Sequence, residues 1–399
     1  MARRKRKFKK NIVKFFLSII LVALVSYLSY QGYNHFFGNG ISDVNGNTNV
    51  NNNHGNKHNE NKEQIYKLKL LATGDGLIHS VIYRSYYKNG VYDFSDAVKY
   101  VKDIVKEYDI AYYNQETPTG DDSIAYSGYP MFYTPSAYVD AMRAVGFNTV
   151  SLASNHSLDK GEKGILNTVK YFKTTDILYS GMSDSETDRN NFIIKEKNNI
   201  TYTMLSYTTI TNGLNVPAGK SYLLNKYDKE QVKKDIEAVR DKVDVLIAAM
   251  HWGTEYEFTP NKYQEDMAKF LSDNGVDIII GTHPHVIQPI TYINNTLVIY
   301  SLGNFISAHE VVNTANRVGL MVSLDIEKDS TTSKISINNL ESELLYTYYT
   351  SNYTDFKVIP FSMIDSNYLS NYKEVYTKYS DIVKSIDNNI KVKELNNAS

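Results

Sequence analysis

The sequence predicts an α/β domain built on buried, largely parallel sheet. Three observations predict it. From about residue 66, apolar runs of strand length alternate with helix-length amphipathic stretches. The runs are continuously apolar, as in strands covered on both faces. Side chains able to do chemistry fall at or just past the ends of those runs, where open α/β sheets gather their ligands.

The strand-like runs are Leu68–Thr73, Ile110–Tyr113, Thr149–Ala153, Ile200–Leu205, Val243–Met250, Val276–Ile280 and Leu297–Ser301. Apolar residues at 3.6-type spacing predict helices over Phe94–Val105, Ala137–Val145, Gly164–Phe172, Lys229–Val239 and Tyr263–Leu271. Val318–Ile326 and Lys334–Ile337 read as strands with no helix between them, which adds antiparallel or mixed sheet. The body so delimited covers residues 66–328. Residues 329–399 are rich in Tyr, Asn, Ser and Lys and read as a C-terminal extension with a helix near Tyr372–Ile386.

The chain has 399 residues, enough for one large core or two smaller ones. Its net charge of −1 is unevenly spread: eight basic residues and no acid lie in residues 1–14, so the remainder is acidic. That balance excludes an obvious nucleic-acid binder. The absence of cysteine excludes disulfides and zinc–thiolate sites.

Residues 11–32 are almost wholly apolar, with Lys14 the one charge, and approach the roughly 20 residues a spanning helix needs. With the basic tail of residues 1–10 on the cytoplasmic side, they read as a transmembrane anchor. The expected location is the cell membrane, single-pass, with the body extracytoplasmic. A cleaved signal peptide is the competing reading, but no small-x-small cleavage site follows and there is no lipobox cysteine. Residues 33–65 are Asn/Gly-rich and too poor in large apolar side chains to fold, so they read as a disordered linker.

Five apolar runs lead into residues that can bind a metal: Asp75, Glu116, Asn155-His156, His251 and His283-Pro284-His285. Parallel strands bring such ends to one rim. The proline between the last two histidines favours an extended path that points both imidazoles the same way. Carboxylate, amide and imidazole without thiolate suit one or two divalent ions, Mn, Fe or Zn. Singly, each position is more often a satisfied structural residue; the conjunction of five strand ends points to a common site. His79 is a further contributor to weigh, and His309 a weaker one. Arg317 meets either an anionic substrate or an ordinary salt bridge. Trp252 is packing or site wall.

Several segments resemble the CapA/PgsA family of capsule (poly-γ-glutamate) synthesis proteins. They are Gly74-Asp75, Asn114-Gln115-Glu116, residues 151–161 (SLASNHSLDKG), residues 251–256 (HWGTEY), residues 281–285 (GTHPH) and residues 301–305 (SLGNF). The resemblance spans about residues 68–325 and implies a calcineurin-like metallophosphoesterase fold, a four-layer α/β/β/α sandwich. It implies a two-metal site in which Asp75 and His285 hold one ion, Asn155, His251 and His283 the other, and Glu116 bridges them. His156 then protonates the leaving group or stabilises charge in the transition state. The superfamily's first motif is Asp-x-His, whereas residue 77 here is Leu, so the first ion loses an imidazole unless His79 replaces it. The implied role is synthesis or export of an anionic envelope polymer such as poly-γ-glutamate, with membrane synthase subunits as partners. Two readings of that role stand: a metal-dependent hydrolase, and a non-catalytic polymer-handling or assembly partner.

Overall fold

The computed structural model describes residues 64–309 and 313–396. Its largest sheet has nine strands. In it β1 (Ile65–Gly76) is followed outward by parallel β2 (Ile110–Gln115), β3 (Thr149–Ser151) and β4 (Leu178–Ser180). The second sheet has six strands. They are β5 (Lys195–Lys197), β6 (Ile200–Thr208), β7 (Val245–His251), β8 (Ile278–Thr282), β9 (Ile290–Ile293) and β10 (Thr296–Ile299). Here β6, β7, β8 and β10 run parallel, with antiparallel β5 and β9 at the edges. The chain then returns to the first sheet. β11 (Asn304–Ile306) pairs in parallel with the end of β1, and β12 (Val318–Asp329) pairs antiparallel along its length. β13 (Ile335–Tyr348) and β14 (Lys357–Pro360) continue that side, and β15 (Lys391–Val392) lies parallel on β13.

Side-chain alternation along the strands sorts the core into layers. On one face of the first sheet, Leu71, Ala111 and Tyr113 pack with Met142 of α1 (Ala137–Val145) and Val169 of α2 (Gly161–Phe172). On the other face, Leu70, Ala72 and Tyr112 pack with Ile247, Ala249 and Ile280 of the second sheet. The second sheet's far side sets Leu246, Ala248 and Met250 against Ile236 of α3 (Lys229–Val239) and Leu271 of α4 (Lys262–Asp273). The order is helix, sheet, sheet, helix. Every central strand is covered on both faces, which is why its sequence is continuously apolar.

Residues beyond 329 continue the first sheet through β13, β14 and β15. The helix expected near Tyr372–Ile386 is α5 (Tyr372–Val383), whose Val375, Tyr379 and Val383 join the core between the sheets. The helix expected over Phe94–Val105 is corrected to a single turn at Lys102–Val105. Phe94, Ala97, Val98 and Val101 are buried, so their spacing reported burial rather than a helical ladder.

The cell-membrane location is also corrected. Among the described residues no helix is long and apolar enough to cross a membrane. The expected anchor over residues 11–32 lies outside the described residues, as does most of the expected linker over 33–65, and the single-pass reading is withdrawn.

Candidate metal centre between the two sheets

The carboxyl ends of five parallel strands meet where the sheets face each other. The first sheet brings Asp75 at the end of β1, Glu116 one residue past β2, and Asn155 and His156 in the turn after β3. The second brings His251 as the last residue of β7, and His283 and His285 just past β8. The expected single rim is therefore two facing rims. Backbone crowding fixes the approach. A Cβ on Gly74 would lie 1.8 Å from the Gly303 carbonyl oxygen, and one on Gly281 would lie 2.0 Å from that of Tyr300. Only glycine lets β1 and β8 run that close to their neighbours.

All six proposed ligands are buried. Their ligand atoms form two overlapping groups. Asp75, Glu116 and His285 make one, and Glu116, His251 and His283 the other; within each, the atoms lie within 4.8 Å of one another. Glu116 belongs to both. Its two carboxylate oxygens are buried and have no hydrogen-bond partner, and neither has Nδ1 of His283. A buried carboxylate without hydrogen bonds is costly, and a cation held between the two groups offsets the cost. These residues therefore fit one or two divalent ions. Asn155 Oδ1 lies 3.0 Å from His251 Nε2, on the side of the second group.

Electrostatics point the same way. Burial pushes Glu116 well above the ordinary carboxylate range, with Asp75 and Glu255 adding to it. Burial also lowers His283 to about 3 and His251 well below its usual value, so both imidazoles are neutral, the form that binds metals. His285 behaves differently. Burial opposes its charge, but the Glu116 and Asp75 carboxylates outweigh burial and hold its pKa up at about 9. Without a cation, a proton on His285 takes the cation's place.

Neighbouring amides and hydroxyls orient these ligands. Asn114 and Asn304 sit beside Asp75 in register on either side of β1. Asn114 donates to Asp75 Oδ1 at 2.8 Å. The Asn304 amide donates to the His285 and Asn316 carbonyls, so its oxygen accepts from Nδ1–H of His285 at 3.0 Å. That leaves His285 Nε2 facing Glu116 Oε1 at 3.6 Å. His251 Nδ1 pairs with the Thr282 hydroxyl at 3.1 Å. Such outer partners fix ring orientation and basicity in metal sites.

The His283-Pro284-His285 path is not the extended one expected. His283 has φ of 97° and His285 φ of 58°, values that are strained for residues with a Cβ. Both imidazoles still face one cluster, their centroids 6.0 Å apart, because the backbone turns.

His156 faces a cleft of about 330 Å³ rather than the buried cluster. Leu77, His79, Phe132, Asn155, Glu255, Tyr256, His285 and His309 also line that cleft. His156 Nδ1 lies 2.8 Å from Asp159 Oδ2, which also accepts from the Phe132 backbone N–H. Asp159 thus orients the ring and leaves Nε2 for the cleft. His79 does not stand in for the imidazole absent at residue 77. Its Nδ1 lies 3.1 Å from both the Leu77 carbonyl oxygen and the Ala308 backbone nitrogen, and among the described residues it belongs to none of the groups of ligand atoms close enough to share a metal. Trp252 is packing: it is fully buried and donates to the Tyr300 carbonyl. Arg317 lies over the rings of Tyr346 and Tyr349 and donates to the Thr347 carbonyl.

The sequence reading quoted Asp159, Asn304, Asn114 and Glu255 within its family-like segments but gave them no role at the site. A signal existed for the first, because His156 and Asp159 stand three apart within one turn. The others touch the site through pairings across strands and loops, which spacing along the chain does not show.

Fold and site together define an α/β sandwich with a candidate divalent-metal centre at the seam of its sheets. Residues 69–309 match the family described as bacterial capsule synthesis protein PGA_cap, and the chain belongs to that family. A capsule biosynthesis protein CapA of Bacillus anthracis is 33% identical over 172 residues, which cover 42% of each chain. A PGA biosynthesis protein CapA of Bacillus subtilis is 31% identical over 176 residues, 42% of this chain and 44% of the relative. The match thus spans less than half the length of these relatives. A solved calcineurin-like phosphoesterase from Bacillus subtilis covers 79% of this chain and 99% of its own, at 15% identity and a TM-score of 0.44.

Proposed function

We propose that this protein acts in the synthesis or export of an anionic capsule polymer such as poly-γ-glutamate, through a divalent-metal site of hydrolase type. The observation that carries the site is Glu116, a fully buried carboxylate with neither oxygen hydrogen-bonded, shared between a group that holds His285 and one that holds His251 and His283. Asp75, Glu116 and His285 would hold one ion, and Glu116, Asn155, His251 and His283 the other. Bound there, the metal supplies Lewis acidity and an activated water. His156, held by Asp159, is placed on the cleft side to hand a proton to a leaving group. No lysine or arginine lines the cleft among the described residues, so an anionic substrate depends on the cations for its charge partner. The names of the Bacillus relatives support the polymer, and synthase subunits are the partners this role implies.

A non-catalytic polymer-handling role is the second reading. It is favoured by Leu77, which takes an imidazole from the first ion's set, and by His79, which does not restore it. Elemental analysis of the purified chain, paired with hydrolysis assays on aryl phosphates and poly-γ-glutamate, separates the readings. Bound metal with turnover supports the hydrolase. Bound metal without turnover supports the handling role. A chain that takes up no Mn²⁺, Fe²⁺ or Zn²⁺ refutes the site.

A further inference from the structure

The loop after β7 carries a carboxylate that none of the assignments above uses. Glu255 is exposed on the cleft wall, and one of its oxygens lies within 4.8 Å of a ring nitrogen of His283 and of one of His285. Those two nitrogens belong to the imidazoles assigned to different ions. The loop is fastened to the histidine turn at two points. Trp252 N–H donates to the Thr282 carbonyl at 3.1 Å, and Tyr256 N–H donates to the Pro284 carbonyl at 2.8 Å. Glu255 lies between these anchors, so its Cα is held over His283 and His285. The two ion pairs of His285 run to Asp75 and Glu116, on the buried side. Glu255 approaches the same rings from the cleft side. His283 adds the independent observation: 3% exposed, it keeps a buried ring nitrogen with no partner.

We propose that Glu255 is a metal ligand of the outer, cleft-facing side of this centre, reaching the ions beside the His283 and His285 imidazoles. The inference rests on the two-group reading of the buried cluster and deepens it. It adds a carboxylate from the second sheet to the donors: the ligand atoms of Glu255, His283 and His285 lie within 4.8 Å of one another. One carboxylate and two imidazoles suit Mn²⁺, Fe²⁺ or Zn²⁺.

The test is Mn²⁺ titration of the full chain by calorimetry, with metal content measured in parallel. Three proteins are compared: the unaltered chain, Glu255→Gln and Glu257→Gln. Glu257 lies two residues away on the same loop, is exposed, and removes the same charge. The proposal expects Glu255→Gln to weaken the loosest-bound Mn²⁺ by more than about tenfold, the lower end of the effect of an outer-shell partner. Glu257→Gln should leave it unchanged. Unaltered affinity in Glu255→Gln overturns the ligand role while leaving the buried site standing. Equal weakening in both variants also overturns it, because long-range charge is then sufficient. An unaltered chain that binds no Mn²⁺ overturns the site reading itself, and this inference with it.

Discussion

The two sheets contribute different chemistry to one place. The first sheet and its loops deliver oxygen, from Asp75, Glu116 and Asn155; the second delivers nitrogen, from His251, His283 and His285. Neither half is a site alone. The oxygen half gathers carboxylates in a buried position, where burial and mutual repulsion push Glu116 well above the ordinary range. The nitrogen half is mostly neutral, because burial lowers His251 and His283. His285 alone reaches across to both carboxylates and takes a charge. Packing the sheets together and assembling the centre are therefore one event. Metal binding should stabilise the docked sandwich rather than either sheet.

The largest expected effect comes from removing the shared carboxylate. Glu116→Ala should abolish binding of both ions at micromolar metal, as read by metal content after gel filtration. Retention of one full equivalent would show that Glu116 serves a single ion. His283→Ala, from the other half, should lower metal content and function together.

Next in size is His156, which both halves leave on the cleft side. If the protein is a hydrolase, His156→Ala should keep its metal and lose roughly 10²–10⁴-fold in turnover, the usual weight of a general acid. Metal loss equal to that of His283→Ala would assign His156 to the cluster instead. If the protein is a handling partner, polymer production should hardly change in His156→Ala.

A steric substitution tests how closely the two halves must approach. Gly281→Ala places a Cβ 2.0 Å from the Tyr300 carbonyl oxygen, so backbone must shift beside the histidine turn. A loss of about 1–3 kcal/mol is expected, the usual cost of overpacking. Chemical denaturation reads it, and an unchanged midpoint would show the strands have slack there.

The smallest expected effect concerns pH. Against burial, the Glu116 and Asp75 carboxylates hold the folded pKa of His285 at about 9, above the ordinary imidazole value of about 6.5. A raised pKa stabilises the fold below the unfolded value and loses that contribution as pH rises through the folded one. Burial-raised Glu116 acts in the same direction. The melting temperature of chelator-treated protein should therefore fall between pH 6.5 and 9, and Mn²⁺ should flatten the fall. A flat profile without metal would remove His285 as the stand-in for the cation.

Much of this was legible along the chain. The central strands of both sheets and four of the long helices followed from apolar runs and 3.6-residue spacing, because each strand is buried on both faces and each helix on one. The residues of the candidate centre were visible for a related reason: a polar side chain ending an apolar run lies at the carboxyl end of a parallel strand. Short or edge strands such as β4, β9 and β11 were not legible, since three or four residues carry no period.

What the sequence by itself determined is thus an inventory of strands, helices and strand-end ligands, all set by local burial. The tertiary structure alone decided how the inventory is divided. It placed oxygen ligands on one sheet and imidazoles on the other, and turned the backbone at His283 and His285. It engaged His79 with Ala308 and brought Glu255 over the histidine turn. Those outcomes depend on contacts between segments far apart in the chain, such as Asp75 beside Asn304 and Tyr256 on Pro284. A pattern along the chain records which residues are buried; which of them then meet is set by how the two sheets pack.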